Sequence, residues 1–342
     1  MEDSITIYGY DEFGDYNNYT YDNVTGNEEV AAFKTHTTCF TEVSCVFYLV
    51  VNVLIFLLGV LGNGLVIWIA GIKMKRTVST TWYLSLAVSD FIFCLSLPFN
   101  IVYTVTNDWT FGLFLCKFNS FVMFINMFSS IFILAVISVD RCVLVVFAVW
   151  AQNNRTNGKA SFVVFLAWIS SVALSLPSAV FRDIKTHLGR SLCYNNYSGQ
   201  HSHKTIAVSR FICGFAMPFL AIFFCYSTII AQLRTRQMMR KSSKPLRVMT
   251  ALIAAFFISW LPYHVFILLE LNHQTYNQEN IRAGLIIGTT VAAANSLINP
   301  ALYVFMGNDF QQKFKSSMLS KIENAIREEG GTTSSRRTSM FL

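Results

Sequence analysis

Apolar residues in this chain run in long blocks separated by short polar loops. Seven blocks stand out, at about 44–71, 80–104, 114–146, 160–181, 206–234, 246–271 and 282–305. Each reaches the roughly 20 residues a helix needs to cross a hydrocarbon core. The periodic pattern inside the blocks, with Gly and Pro in it, predicts helices and not the alternating short strands of a β-barrel. The expected fold class is all-α, a seven-transmembrane helix bundle over 43–306 preceded by an arm over 1–42. Beyond it, Phe310, Phe314 and Met318 recur at helical spacing with Lys313 and Lys315 between them. That pattern predicts a short amphipathic helix over 307–320 on the membrane surface, followed by a cytoplasmic tail over 321–342.

Composition agrees with a chain solvated by the lipid bilayer. Of 342 residues, 54% are hydrophobic and 13% charged, where a soluble domain carries about 25% charged residues. The loops on one side hold Lys73, Lys75, Arg76, Arg155, Lys159, Arg234, Arg236 and Arg240, and the other side holds fewer cations. The positive-inside rule makes the first side cytoplasmic, and seven crossings then put the N-terminus outside, as for a multi-pass plasma-membrane protein. The net charge of +7 is thus a topology signal and not a footprint for nucleic acid, since the basic residues sit in short loops beside spans. Residues 1–30 are polar and acidic with no apolar h-region, so the first span is expected to act as its own insertion signal.

Residues 1–35 lack a core-forming pattern and are predicted to be disordered. Acidic residues there alternate with Tyr8, Tyr10, Tyr16, Tyr19 and Tyr21. The arm reads either as a solvated spacer or as an acidic docking surface for a basic partner. Asn18 and Asn23 open N-glycosylation sequons on it, and Asn196 opens a third in the loop before span five. Thr332, Thr333, Ser334, Ser335, Thr338 and Ser339 lie near Arg336-Arg337 in the tail. Phosphorylation there would create charge for an arrestin-like partner.

Among eight cysteines, Cys116 and Cys193 both face the oxidising side, which favours a disulfide tying the loop before span five over the bundle mouth. Cys39 and Cys45 either pair with each other or stay free. No Cys/His spacing suggests zinc. No nucleophile–base pair or phosphate loop suggests an enzyme, and the absence of an internal repeat disfavours a transporter.

Charged and polar residues inside spans are expensive and mark function. Asp140-Arg141 closes span three and can pair internally. Asp90 sits deep in span two, with Asn63, Asn126, Ser130, Asn295, Ser296 and Asn299 available as partners. Pro218, Pro262 and Pro300 free backbone carbonyls and loosen their helices. Arg210 lies eight residues, about two turns, above Pro218. Its guanidinium either snorkels to headgroups, pairs with a residue such as Glu270, or serves as a pocket cation for a ligand carboxylate. Arg182, just beyond span four, adds positive potential at the mouth.

Read in order, the motifs form a set. They are Gly62-Asn63, Leu86-Ala87-Val88-Ser89-Asp90, Cys116 with Asp140-Arg141-Cys142, Trp168, Pro218 with Tyr226, Phe256 through Trp260 to Pro262, and Asn295 through Asn299-Pro300 to Tyr303. This set resembles the class A (rhodopsin-like) G-protein-coupled receptors. The resemblance implies that Asp90, Asn126, Ser130, Asn295 and Asn299 hold an allosteric Na⁺, a hydrogen-bonded cluster without an ion being the alternative. It also implies that Arg141 leaves Asp140 to meet a G protein, assisted by Tyr226 and Tyr303. Trp260 above Phe256 would sense ligand, with Pro262 and Pro300 as hinges.

Met123 stands where amine receptors carry Asp, and Ala293 where opsins carry the retinal Lys, which argues against both ligands. Val149-Trp150-Ala151-Gln152-Asn153, Phe181-Arg182-Asp183, Cys193-Tyr194-Asn195-Asn196, Arg210 and Val304-Phe305-Met306-Gly307-Asn308-Asp309-Phe310 are similar to the chemoattractant branch, the chemerin and formyl-peptide receptors. The branch implies a chemerin-like protein or peptide ligand and a heterotrimeric G protein of the Gi type. A formylated peptide or a carboxylate-bearing lipid mediator is the alternative ligand. Arg210, Glu270, Arg182, Met123, Ser120, Asn119, Tyr263 and Trp260 would line the pocket. Ala148 departs from the Pro usual in the second inner loop, which leaves coupling strength open.

Overall fold

The computed structural model describes residues 43–187, 189–197, 199–235, 243–272 and 276–306. The arm, the helix expected over 307–320 and the tail, with Asn18, Asn23 and the tail Ser/Thr residues, lie outside the described residues. Among the described residues, seven helices are long and apolar enough to cross a membrane, as the apolar blocks predict.

The chain runs as α1 (Val43–Trp68), α2 (Val78–Thr106), α3 (Gly112–Val146), α4 (Ala148–Asn154) and α5 (Asn157–Val180). A two-stranded hairpin follows, β1 (Arg182–His187) and β2 (Arg190–Asn195), then α6 (Gln200–Phe211), α7 (Met217–Thr235), α8 (Ser243–Glu270) and α9 (Gln278–Met306). Among the described residues, one π-turn, Ile69–Lys73, extends α1 at its end, and another, Ile212–Ala216, joins α6 to α7 without interrupting the span. The fifth span therefore comprises α6, its π-turn and α7, and starts at His201, above the expected boundary.

Local chemistry fixes the helix starts. Thr77 and Thr80 form a reciprocal capping box at the start of α2, with the Thr80 N–H donating to Thr77 Oγ1 and the Thr77 N–H to Thr80 Oγ1. Thr156 Oγ1 accepts the Lys159 N–H at the start of α5. Pro98, Pro177, Pro262 and Pro300 lie inside helices, where bundle neighbours can compensate for the lost bond.

The central post is α3. In its most apolar window 78% of residues are buried, against 22% for α5, so α3 packs on all sides while α5 faces lipid. Phe124, Met127, Phe128, Ile131, Leu134 and Ile137 form its buried column. Trp168 on α5 donates its indole N–H to Ser85 on α2 at 2.8 Å, tying a more peripheral helix to the core.

The hairpin is the element that the apolar pattern did not predict. Its strands are antiparallel with Ile184 opposite Cys193, and Gly189 takes φ +81° at its turn. Three fastenings hold it at one end of the bundle. Cys193 is disulfide-bonded to Cys116 at the start of α3. The Trp109 N–H donates to the Ser191 carbonyl at 2.8 Å, and the Ser191 N–H to the Asp108 carboxylate at 2.8 Å. Cys45 is also disulfide-bonded.

Small residues at Gly284, Gly288 and Ala292 recur every four positions along the face of α9 that meets α8, which lets the two backbones approach closely. A β-carbon at Gly288 would lie 2.8 Å from the Tyr263 backbone nitrogen and 3.1 Å from the Pro262 carbonyl carbon. Backbone cannot rotate away, so Gly288→Ala is expected to destabilise by about 1–3 kcal/mol. Thermal unfolding of the purified protein checks this. Gly158→Ala, where a β-carbon meets nothing within 4 Å, is the matched control and should leave the melting temperature unchanged.

Candidate functional site

Arg210 points into the bundle. In an unbroken α-helix, eight residues would place it about 80° around the axis from Pro218, but the extra residue in the π-turn cuts that to about 20°. Both residues are accordingly buried, Arg210 at 5% exposure. Its Nη2 donates to the Ser178 hydroxyl at 2.8 Å, and its Nη1 approaches the Tyr263 hydroxyl at 3.4 Å. Its guanidinium carbon stands 3.6 Å from the centre of the Phe124 ring, a cation–π contact. Snorkelling to headgroups is thereby ruled out.

Glu270 is buried at the end of α8, with His203 Nε2 3.7 Å from its carboxylate. His203 stacks on Tyr197 at 4.8 Å, and Tyr197 packs against Phe181. Arg182 is buried at the root of the hairpin. Ser178 lies four residues before it. On the α3 side, Asn119 donates its amide to Asn100 Oδ1 at 2.6 Å, while Ser120 and Met123 are buried nearby along the helix. Sequence reasoning missed Ser178 and His203. His203 could have been found, since it stands seven residues, close to two turns, before Arg210 and shares its face; Ser178 gave no signal.

Below Arg210 the aromatic rings are contiguous. Phe124 lies 6.2 Å from Tyr263, Tyr263 5.8 Å edge-on from Trp260, and Trp260 6.0 Å from Phe256. His264, also missed, is fully enclosed against this stack by Phe211 and Phe215. Trp260 sits above Phe256 as expected, with Pro262 half-buried between Trp260 and Tyr263 in the chain.

The next layer centres on Asp90, which is fully buried. Its Oδ1 accepts from the Asn126 amide and the Ser296 hydroxyl, each at 2.8 Å, and its Oδ2 from the Asn299 amide at 2.8 Å. Asn126 also donates to Ser89 at 3.1 Å, Ser89 and Ser129 share a bond of 2.6 Å, and Asn63 donates to the Ser296 carbonyl at 2.8 Å. Ser130 and Asn295 are buried in the same layer, and their side-chain atoms have no hydrogen-bond partner among the described residues. A lone carboxylate with hydroxyl and amide oxygens, three of them (Asn63 Oδ1, Ser130 Oγ and Asn295 Oδ1) without a hydrogen-bond partner among the described residues, fits a hard monovalent cation and not a divalent one.

At the opposite end from the disulfide, Asp140 has a different principal partner from the one expected. Arg155, just after α4, holds it in a fork, Nε donating to Oδ1 at 2.8 Å and Nη2 to Oδ2 at 3.1 Å. Arg141 reaches Asp140 only at 3.8 Å and donates instead to the Ser79 hydroxyl at 2.9 Å. Neighbouring residues on a helix point apart, so the side chain across the loop meets the carboxylate better. Tyr226 lies within electrostatic reach of Arg141. Pro300 is buried on α9, and the Tyr303 side chain lies outside the described residues. Asn196 is exposed beside the hairpin.

Comparison with known proteins agrees with this geometry. The family described as 7 transmembrane receptor (rhodopsin family) matches residues 62–303. Chemerin-like receptor 1 of Rattus norvegicus is 39% identical over 345 residues, covering 95% of this chain and 92% of the relative. Chemerin-like receptor 1 of Homo sapiens is 39% identical over 353 residues, covering 97% and 91%. Formyl peptide receptor 2 of Mus musculus is 38% identical over 339 residues, covering 93% and 94%.

The Asp140–Arg155 fork has a measurable consequence. Charge-assisted hydrogen bonds contribute about 1.5–3 kcal/mol, so Arg155→Ala should speed amide exchange across 148–155 by about tenfold to a hundredfold. Hydrogen–deuterium exchange reads this directly; unchanged exchange would mean that the fork does not hold α4 in place.

Proposed function

Because this chain belongs to the rhodopsin family of seven-transmembrane receptors, we propose that it is a plasma-membrane receptor for an extracellular chemerin-like protein or its C-terminal peptide, signalling through heterotrimeric G proteins of the Gi type. It is a multi-pass membrane receptor and not an enzyme. The basic loops favour an extracellular N-terminus, which makes the hairpin end the ligand side and the Asp140 end cytoplasmic.

One observation carries the ligand reading: a guanidinium only 5% exposed, turned into the bundle with Ser178 at 2.8 Å and the Phe124 ring at 3.6 Å. A carboxylate arriving there would gain two parallel charge-assisted bonds. The ligand's C-terminus would displace the Ser178 hydroxyl while Arg210 stays on Phe124. Glu270 with His203 would receive a cationic or polar group of the same peptide. The acidic arm would hold the ligand's body.

A shift at Phe124 passes through Tyr263 to Trp260 and Phe256, whose helix bends at Pro262. Ligand acts only through a higher affinity for the shifted state. At the cytoplasmic end Arg141, held by Ser79 and only loosely by Asp140, is the cation free to turn toward a G protein, while Arg155 keeps Asp140 neutralised. Na⁺ at Asp90, with Ser130 and Asn295 supplying unspent oxygens, would favour the resting arrangement. Phosphorylated tail residues would recruit arrestin, and Asn18, Asn23 and Asn196 would carry glycans.

Identities of 39% and 38% do not separate chemerin-like from formyl-peptide relatives, so a formylated peptide is the second reading. Inhibition of cAMP by a chemerin C-terminal peptide, a formylated peptide and buffer decides between them. Silence to every chemerin form at normal surface expression would overturn the first reading. Truncating one partner of a buried charge pair costs about 2–5 kcal/mol, so Arg210→Ala should weaken a carboxylate-bearing agonist by about thirtyfold or more. Equal potency on variant and parent would remove Arg210 from the pocket. Raising NaCl at constant ionic strength should lower agonist affinity several-fold, and Asp90→Asn should abolish the dependence; the same slope in the variant would rule out the ion.

A further inference from the structure

Beside Asp140 the charges do not balance. Arg141 and Arg155 bring two guanidinium groups to one carboxylate, and neither 69–89 nor 141–182 contains an Asp or Glu. The surplus is aimed at a neutral group, the Ser79 hydroxyl in the first turn of α2. Ser79 Oγ accepts from Arg141 Nη2 at 2.9 Å and from Arg155 Nη2 at 3.3 Å. Among the described residues this is the one hydrogen bond of the Arg141 side chain, and its buried Nε has none. A neutral hydroxyl is a weak partner for two cations, since bonds from a guanidinium to an anionic oxygen are roughly twice as strong as neutral ones.

The other hydroxyls of this turn are spent locally. Thr77 and Thr80 serve the capping box, and Thr81 Oγ1 donates to the Thr77 carbonyl at 3.0 Å. Ser79 alone among them meets cations. It also stands in a sequence that a kinase can read. Lys75, Arg76 and Thr77 are exposed, and the backbone from Met74 to Thr77 is not helical. Arg76 lies three residues before Ser79 and Lys75 four, where a kinase with an acidic substrate groove takes its cations. Ser79 is half-buried, so the first turn of α2 has to fray for the hydroxyl to enter a kinase, and helix ends are where local opening is easiest.

We infer that Ser79 is a phosphorylation site whose phosphate holds Arg141 away from the G protein. In the transfer, Ser79 Oγ attacks the γ-phosphorus of MgATP bound to the kinase. The Oγ–P bond forms as the bond from that phosphorus to the β,γ-bridging oxygen breaks. ADP leaves with the electron pair, and the hydroxyl proton passes to the kinase's catalytic carboxylate. The product carries about −1.5 to −2 charge and three acceptor oxygens where one neutral oxygen stood. Arg141 gains an anionic partner able to take two parallel bonds, and Arg155 shares its fork between the phosphate and Asp140. The consequence for coupling rests on the G-protein role proposed for Arg141; the contacts between phosphate and guanidinium groups do not.

Full-length receptor purified in detergent and treated with the catalytic subunit of cyclic-AMP-dependent protein kinase and MgATP tests both parts. Mass spectrometry should place a phosphate on Ser79. The melting temperature should then rise by about 2–4 °C. Treated Ser79→Ala should show no rise, and since it keeps every tail site, the difference isolates Ser79. In Arg141→Ala, and in Arg155→Ala as a second variant, the rise should fall to about half or less. Nucleotide exchange on a Gi heterotrimer, driven by a chemerin C-terminal peptide, should drop about tenfold on modification of the parent. No phosphate on Ser79, an equal rise in both arginine variants, or undiminished exchange by the modified receptor would overturn the proposal. The melting arm contains neither ligand nor G protein, so its failure stands apart from failure of the receptor reading.

Discussion

A polar group inside a lipid-solvated bundle has no water to fall back on, and the arrangement of this protein follows from that constraint. Asp90 spends its oxygens on Asn126, Ser296 and Asn299, which come from α3 and α9, so one carboxylate fastens three helices. Arg210 is solvated by a hydroxyl from α5, a phenol from α8 and a ring from α3. Each charge is therefore also a joint. Moving either one requires the helices around it to exchange partners together, which makes the bundle bistable instead of gradually deformable.

The two ends are joined by α3, a single helix from Gly112 to Val146. One rod carries the disulfide, the ring beneath Arg210, the amide bonded to Asp90 and the Asp140-Arg141 pair. At about 1.5 Å per residue it exceeds the thickness of the hydrocarbon core, so it reaches from one end of the bundle to the other. The helices with internal prolines, α8 at Pro262 and α9 at Pro300, pack tightly against each other through Gly284 and Gly288.

Much of this was legible in the chain because membrane burial writes strong signals. Long apolar blocks located all seven spans, and rare intramembrane charges located Asp90, Arg210 and Asp140. What escaped was set by features that leave no periodic trace. The hairpin at 182–195 has short polar strands held by cross-links to α3 and the α2–α3 loop. Arg155 looked like one more loop cation, because its pairing with Asp140 depends on how α4 turns the chain back. Ser178 is an ordinary span serine until Arg210 is placed opposite it.

The π-turn at Ile212–Ala216 has a consequence for how such chains are compared. An insertion or deletion of one residue normally spins everything beyond it by about 100°, and a bundle helix rarely survives that. Here the surplus residue is absorbed in a local widening, so the pocket-facing half of the fifth span and its proline-bearing half keep independent phases. Counting residues from Pro218 alone would assign Arg210 to a flank of the helix. Homologues that lost or gained this widening would present a different side chain to the ligand while keeping the same hinge, a route by which receptor preference could diverge without redesigning the transmission below.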